Sequence, residues 1–479
     1  MKNRINLAWL KRDLRIFDNE VLHSCEQKKI PYQIIYIFEP EIIKKDNISL
    51  RHLQFIYHSI LDVNNYLNKY NRQIKCLYGS ANTIFKEYIS HYNIQNIYSY
   101  QETGISCTYN RDKKINILLN NNNINFIEFE KDCVQRAIRN RKGWDKRWYS
   151  KMNNKVIKNS FTNNTFIDSV ENNQLPQNFL KSLKIYPNNF LKPGYKNAIK
   201  LLKTFIEHRS LSYNKNISKP YHSRKSCSRI SPYLSWGNIS SKEVYQFFRN
   251  YRKIKGIKGF LTRLKWRSHF IQKFESEYQI SFRCANKAFE NMTYTNDIDL
   301  LNKWKKGKTG FPLVDANMHC LRVTGWINFR MRAMLVSVLV HHFDCDWKLG
   351  VRHLAELFLD YEPGIHYSQF QMQSGTTGIN TIRMYNPIKQ SYDHDMDGKF
   401  IKKWIPELKE VSAEYIHEPW KIPPLLSTLE KDSIYNSPCL DISIAGKKAR
   451  NKIWSFKSNE EVKIENKRIL QLHTRNSII

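Results

Sequence analysis

The sequence has no paired cysteines, no long apolar run, no glycine-rich nucleotide fingerprint and few acidic residues. Its nine cysteines, at positions 25, 76, 107, 133, 227, 284, 320, 345 and 439, are scattered singly. Without a C-x-x-C pair, a zinc site, an iron–sulfur cluster and a disulfide framework are all disfavoured. No metal is therefore expected, and a reducing cytoplasm is the expected compartment. No stretch reaches the roughly 18 to 20 uninterrupted apolar residues that cross a bilayer. The opening M-K-N-R-I-N-L-A-W-L-K-R-D has no apolar core ahead of a small-residue cleavage site, so it does not read as a signal peptide. The absence of G-x-G-x-x-G argues against an ordinary dinucleotide fold. No internal repeat is present.

The acidic shortage sets the charge. Against 77 Lys and Arg stand 43 Asp and Glu, for a net +34. Such a balance predicts attraction to polyanions, nucleic acid first. The chain is also rich in Asn, Ile and Lys, as an AT-rich genome would make it, so the location of the charge matters more than its size. With 479 residues, 41% hydrophobic and 13% aromatic, two or three domains can each bury a core.

The first third alternates short β-branched runs with helical patterns. Strands are expected at 5–10, 32–38, 73–78, 96–100 and 124–129. Helices are expected at 19–29, at 49–70 with Ser49 as N-cap, and at 82–91 and 108–119. This predicts an α/β domain, a parallel sheet with helices on both faces, whose ligands sit beyond the carboxyl ends of the strands. Residues 150 to about 192 are rich in Asn, Lys and Ser with weak periodicity and read as a long connection, partly draped over the first domain. The boundaries drawn are 1–131 for the α/β domain, 132–194 for the connection and 195–479 for a larger all-α domain.

In that last part, helices are expected at 195–209, 240–252, 256–276, 311–321, 326–342 and 350–359. Phe260, Leu264, Phe270, Ile271 and Phe274 form the core stripe of 256–276, and Arg263, Trp266 and Arg267 share another face at three- and four-residue spacing. That face could stack an unpaired base between phosphate contacts, or be a snorkelling basic edge. At 226–240, Ser226, Ser228 and Ser231 precede a Pro-started helix, with Ser231 as N-cap; a diphosphate site and a plain cap look alike here. From Trp304 to Gln390, Asp315, Arg322, Trp326, Arg330 and Arg332 lie in an apolar background where a charge needs a partner. The candidates are Asp360-Tyr361-Glu362, a polar ligand, or a structural salt-bridge network.

Several unlinked motifs, in order, make the chain resemble the photolyase/cryptochrome family along nearly its whole length. W-L-K-R-D-L-R-I-F-D-N-E (9–20) looks like the family's opening strand and turn. C-S-R-I-S-P-Y-L-S-W-G-N-I-S (227–240) is similar to its flavin diphosphate loop, and L-K-W-R (264–267) to its lesion-facing helix. W-K-K-G-K-T-G-F-P-L-V-D-A-N-M (304–318), T-G-W-I-N-F-R-M-R (324–332) and R-M-Y-N-P-I-K-Q (383–390) resemble its most recognisable signatures. The resemblance implies an α/β antenna domain, a helical FAD domain, and blue-light-driven electron transfer from reduced FAD that splits a pyrimidine dimer flipped out of UV-damaged DNA. It implies that Tyr213 and the run Cys227, Ser228, Arg229, Ile230 and Ser231 hold the phosphates and ribose of FAD. Arg332 would pair with Asp360 beside the ring system, with Tyr361, Glu362 and Arg267 near it. Trp266 would pack on the dimer, and Arg263, Asn328, Arg330 and Gln390 would line the DNA side. The protein would work as a monomer, without membrane or metal.

The chain departs from the family pattern at chosen points. Cys227 stands for a Thr of the diphosphate loop. Arg263 stands for an acidic residue that contacts base edges, and Phe329 for an Asn near flavin and DNA. His366 stands for the residue near flavin N5, where a histidine could relay a proton or be merely structural. Of the three tryptophans that reduce the flavin in relatives, Trp347 matches the middle one. Phe370 holds the proximal position and Tyr294 the distal one; Trp304, Trp326, Tyr361 and Tyr367 are possible substitutes. Thr108 replaces the Glu that often binds a folate antenna, so a second chromophore is possible but unidentified, with folate disfavoured. Arg263, His366 and Phe370 support a runner-up function, a cryptochrome-type photoreceptor that binds FAD without repair.

Overall fold

The first strand, Arg4–Leu10 (β1), is apolar on both faces, and that dictates its place at the centre of a sheet covered on both sides. Beside it run Tyr32–Phe38 (β2), Ile74–Tyr78 (β3), Asn93–Tyr100 (β4) and Asn125–Phe129 (β5), all parallel, in the order β3-β2-β1-β4-β5. Register places Ala8 opposite Ile34 on one side and Tyr98 on the other. This is a computed structural model that describes residues 2–45, 47–161, 173–423, 435 and 437–474.

The expected strands are all present, and the expected helices form as Glu20–Gln27, Leu50–Leu67, Ala81–His91 and Ser106–Asn120. Local chemistry sets their starts. The Asn19 side chain accepts from the N–H groups of Val21 and Leu22, and the Ser80 hydroxyl accepts from Thr83 N–H. Because the strand order reverses between β1 and β4, a crevice opens beyond their carboxyl ends. Lys11 and Arg12 enter it from β1, and Tyr100 to Thr103 from β4.

The connection is more ordered than its composition implies. It contains the helices Trp144–Asn153 and Gln177–Lys184, and Trp144, Trp148 and Leu183 are almost fully buried in the main core. Trp148 meets the Tyr245 ring edge-on at 5.3 Å. Buried apolar side chains spaced widely among many polar ones produce little periodicity, yet they fasten the segment to both domains. Residues 162–172 lie outside the described part.

The helical domain follows expectation with shifted ends. The expected helix 195–209 is Tyr195–Thr204 closed by a π-helical turn, Phe205–Arg209. That at 256–276 is Lys255–Ser276, and that at 350–359 is Trp347–Leu357. The helix expected at 326–342 starts only at Phe329, because Asn328 caps it, and ends in a π-helical turn at Val338–His342. One core runs from the sheet (Ala8, Leu10) into Tyr233, Leu234, Trp236 and Leu264, so the two domains share a packed seam. Two glycines make close approaches there. Gly237, at φ +77, lies against the Arg12 and Asp13 backbone, where a Cβ would collide. A Cβ on Gly364 would sit 2.7 Å from Ile271 Cα, so the helices Pro363–Ser374 and Lys255–Ser276 cross only with glycine there.

Candidate functional site

The site is built around Lys255–Ser276. Phe260, Leu264, Ile271 and Phe274 are buried as its core stripe, whereas Phe270, expected in that stripe, is only half-buried. The Arg263, Trp266 and Arg267 face is graded rather than uniform. Trp266 is 53% exposed, Arg263 is half-buried, and Arg267 is turned inward. Arg267 Nη2 donates to Leu234 O at 3.0 Å and to Glu362 Oε2 at 3.2 Å, with Asp132 Oδ2 at 3.4 Å.

The acidic group lies under this helix. Arg332 Nη2 donates to Asp360 Oδ2 at 2.9 Å, its Nε to Ile327 O at 3.0 Å, and its guanidinium lies 4.0 Å from the Phe358 ring centre. Asp360 and Glu362 are both buried. Ser235 Oγ donates to Asp360 O at 3.0 Å and Trp236 Nε1 to Leu359 O at 2.8 Å, which pins the 231–236 segment onto the acidic group. From the sheet domain, Arg12 Nη1 donates to Tyr361 O at 2.9 Å, with its guanidinium 4.3 Å from the Trp236 ring.

Three enclosed polar atoms in this neighbourhood have no partner among the described residues: Asp360 Oδ1, Arg267 Nη1 and Arg229 Nε. Arg229 adopts φ +59 and lies 4.0 Å over the Trp326 ring. Burial, and then the neighbouring Arg224, lower its pKa to about 9. Arg224 Nη1 donates only to neutral groups, Trp326 O at 3.1 Å among them. A partly buried cation with no carboxylate, next to a second cation, is an anion site waiting for charge. Two orphaned donors and one orphaned carboxylate oxygen complement a ligand with an anionic diphosphate and a ring N–H, as FAD has.

This corrects the expected geometry of the diphosphate loop. The Pro232 helix is a single turn, Ser231–Ser235, in which Ser231 is the first residue and no side chain caps. One turn of aligned peptides carries little dipole, so Arg229 supplies the positive charge instead. Ser228 and Ile230 are buried beside it, as is Cys227, whose thiol is pushed up to about 12 by burial and stays protonated. Tyr213 is buried 5.6 Å from the Arg263 guanidinium, its hydroxyl pKa raised by burial.

A line of aromatic groups leaves the acidic group. Tyr361 and His366 are 5.5 Å apart, His366 and Phe370 5.7 Å, and Phe370 and buried Trp347 6.4 Å. Trp347 Nε1 donates to Cys284 Sγ at 3.4 Å. Tyr294 lies 4.8 Å from the Lys452 ammonium. His366 Nε2 is 2.8 Å from Val351 O, so it carries the proton and leaves Nδ1 as acceptor; burial lowers the ring pKa to about 4. The imidazole is therefore neutral near pH 7, the structural arrangement rather than a poised relay. Of the substitute donors, Trp304 is buried with Nε1 on Leu335 O, and the Tyr367 hydroxyl accepts from Asn47 Nδ2 at 2.8 Å.

Of the residues expected on the DNA side, Gln390 is buried with Oε1 lacking a partner among the described residues, and Arg330 lies 5.8 Å from the Tyr385 ring. Asn328 does not belong there. It is 3% exposed, its Oδ1 accepts from Met331 N–H at 2.9 Å, and its Nδ2 donates to Ser223 Oγ at 3.1 Å. Both ends of the amide are used, so it shapes a helix start. Arg322 is structural as expected, donating to Lys305 O at 2.8 Å. Asp315 takes neutral partners, Thr309, Gly310 and Tyr435. Arg12, Arg224 and Asp132 were not singled out by sequence reasoning, although Arg12 stands inside the W-L-K-R-D-L-R motif.

A second cleft opens at the carboxyl ends of β1 and β2, lined by Trp9, Tyr36, Ile43, Leu53 and Trp236. At one end Arg111 bridges Glu39 at 2.7 Å, Glu102 at 2.6 Å and Asp112 at 2.8 Å. Burial alone would raise Glu102, but Arg111, Lys11 and Arg12 outweigh it and hold the carboxyl at about 2. Thr108 is buried with its hydroxyl on Ile105 O at 2.9 Å.

Comparison with known proteins agrees with this geometry. A family model described as the FAD binding domain of DNA photolyase matches residues 260–455, and one described as DNA photolyase matches 6–163, together well over half of the chain. A deoxyribodipyrimidine photo-lyase of Alkalihalophilus pseudofirmus is 33% identical over 274 residues, 56% of each chain. One from Buchnera aphidicola (subspecies Acyrthosiphon pisum) is 28% identical over 447 residues, 86% of this chain and 90% of the relative. An archaeal photolyase from Sulfolobus tokodaii, solved with two FAD molecules, superposes with a TM-score of 0.79 at 25% identity, covering 94% of this chain and all of that one.

Proposed function

This chain belongs to the photolyase/cryptochrome family, and we propose that it is an FAD-dependent DNA photolyase that splits pyrimidine dimers in UV-damaged DNA under blue light. The observation that carries the reading is the pairing of half-buried Arg332 with buried Asp360, whose second oxygen is orphaned, set beside the orphaned donors of Arg229 and of Arg267, the latter on the helix that exposes Trp266. Bound FAD supplies the light absorption and the electron that the reaction needs.

The protein's own groups bind, orient and exclude. Arg229, with Ser228 and Ser231 beside it, holds a diphosphate; its pKa of about 9 is still high enough to keep it charged at pH 7. Arg332 fixes the Asp360 carboxylate so that its free oxygen can accept from a ring N–H. Arg267, held by Glu362, forms the floor between that ring and the Trp266 surface. The seam seals the site from water through Trp236, Arg12 and Leu359. Trp266 offers an exposed indole face to an unstacked lesion, and Arg263, Arg330 and Gln390 stand at the rim as phosphate or base contacts.

A second chromophore would find in the cleft beyond β1 and β2 an apolar wall for a planar ring and the Arg111 cluster for its polar end. Thr108, buried and self-bonded, has no carboxylate to offer a folate. Among the described residues no helix is long and apolar enough to cross a membrane and no His, Cys, Asp and Glu group could hold a metal ion. Nine free cysteines fit a reducing cytoplasm.

The test is a dimer-bearing oligonucleotide illuminated with the purified holoprotein. Loss of the lesion under blue light, and none in the dark, is the expected outcome for a cyclobutane or a (6-4) dimer. No reversal of either lesion with fully reduced FAD would rule out the lyase and leave the photoreceptor reading, which Arg263, His366 and Phe370 favour.

A further inference from the structure

Phe329 is the first residue of a well-capped helix, yet it is 48% exposed. Its ring centre lies 6.0 Å from the Arg263 guanidinium and 5.9 Å from that of Arg330. The row continues at both ends into buried rings, Arg263 to Tyr213 at 5.6 Å and Arg330 to Tyr385 at 5.8 Å. Ring and cation therefore alternate across the helix Lys255–Ser276 and the start of Phe329–Ser337. Neither arginine has a carboxylate within ion-pair distance among the described residues. Arg263 Nη1 donates to Gly259 O at 3.1 Å, and Arg330 Nε is enclosed without a partner.

We infer that Phe329, flanked by Arg263 and Arg330, is a stacking platform for an unpaired base, so that this face prefers a single or locally melted DNA strand to a closed duplex. The argument is one of accessible surfaces. A duplex presents phosphates and base edges but hides its base faces in the stack, so an exposed phenyl ring gains nothing from it. An unpaired strand offers a base face to the ring and phosphates to the cations on either side. A polar side chain at 329 would keep the phosphate contacts and lose only the stack. The backbone of Phe329 is held by the Asn328 cap, so the ring is presented at little cost in ordering. The inference rests on reading this face as the DNA side, and is independent of any lesion chemistry.

The test uses the full-length holoprotein in the dark, with fluorescence anisotropy at one ionic strength. The probes are an undamaged, labelled oligothymidylate and a labelled undamaged duplex of equal length. Wild type is expected to bind the single strand about tenfold more tightly than the duplex. Phe329→Asn is expected to lose about tenfold on the single strand and less than about twofold on the duplex, with Phe329→Tyr retaining the wild-type preference. An unchanged thermal midpoint checks that the variants fold. Equal losses on both probes, no loss on either, or a wild type without strand preference each overturn the proposal. Lesion reversal measured separately keeps the two readings apart: Phe329-dependent strand preference without repair retains this inference and removes the lyase.

Discussion

Four arginines on neighbouring helices divide into two pairs with opposite electrostatics. Arg267 and Arg332 point inward and meet Glu362 and Asp360 at 3.2 and 2.9 Å. Arg263 and Arg330 lie outward against rings, with no carboxylate among the described residues. Inside, a cation without compensation costs several kcal/mol, so each carries its own acid. At the rim, water screens the charge and a carboxylate would only compete with phosphate. These four arginines therefore differ in their compensation and not in their position in a motif, whereas Arg229, which we assign to a diphosphate, has no carboxylate in ion-pair contact among the described residues.

The largest effect is expected at the inner pair. Asp360→Ala leaves the half-buried Arg332 unpaired and should cost about 3 kcal/mol, together with most of the bound FAD. Thermal midpoint and flavin absorbance per mole of protein measure both. Retention of FAD with only a small change in midpoint would show that the inner pair is no different from the rim.

Next comes a pH dependence confined to the interior. Burial lowers His366 to about 4 and His52 to about 3, below the unfolded value of 6.5. A depressed histidine stabilises the fold fully above pH 6.5, and that stability drains away as the pH falls towards the folded pKa. Each such ring contributes a slope of about 1.4 kcal/mol per pH unit in that window. His366→Phe should remove one ring's share of the slope between pH 6 and 4.5 in denaturant titrations. Acids held low, such as Glu102 at about 2, enter only as the pH falls from their ordinary value of 4.5 towards 2.

A smaller effect is expected in the aromatic line. Phe370→Trp restores an oxidisable ring between the acidic group and Trp347, and should speed light-driven flavin reduction in the holoprotein by about tenfold, read as the rate of bleaching with an external reductant. If wild type is already fast and Trp347→Phe slows it, the line conducts despite Phe370. Least affected are the rim arginines. Arg263→Ala or Arg330→Ala should each lower the salt slope of DNA binding by about one and weaken affinity without moving the thermal midpoint. A midpoint loss as large as that of Asp360→Ala would break the comparison.

Much of the fold was legible because its signals are local. Short β-branched and aromatic runs marked the five strands, and apolar residues at helical spacing marked the helices between them. Motif resemblance pointed to Arg332, Asp360 and Glu362, and packing brings Arg332 onto Asp360 and Arg267 onto Glu362. Two readings failed for physical reasons. Ser231 looked like a cap because Pro follows it, but a helix start depends on the backbone of the preceding residues, where Arg229 is left-handed. Asn328 looked like a DNA contact by neighbourhood, yet its amide is consumed by Met331 N–H and Ser223. The connection around Trp144 and Trp148 had too few apolar residues per turn for any periodic signal.

The sequence by itself determined the parallel α/β sheet, the helical second domain, the basic balance and the family, since each depends on residue type, spacing and order. Only the tertiary structure decided which arginines are compensated, that Arg229 lies over Trp326 with its Nε unpartnered among the described residues, and that Phe329 stands exposed between two cations. Those properties depend on burial and on which atoms from distant segments meet, and a chain order of residues does not contain them until the segments pack.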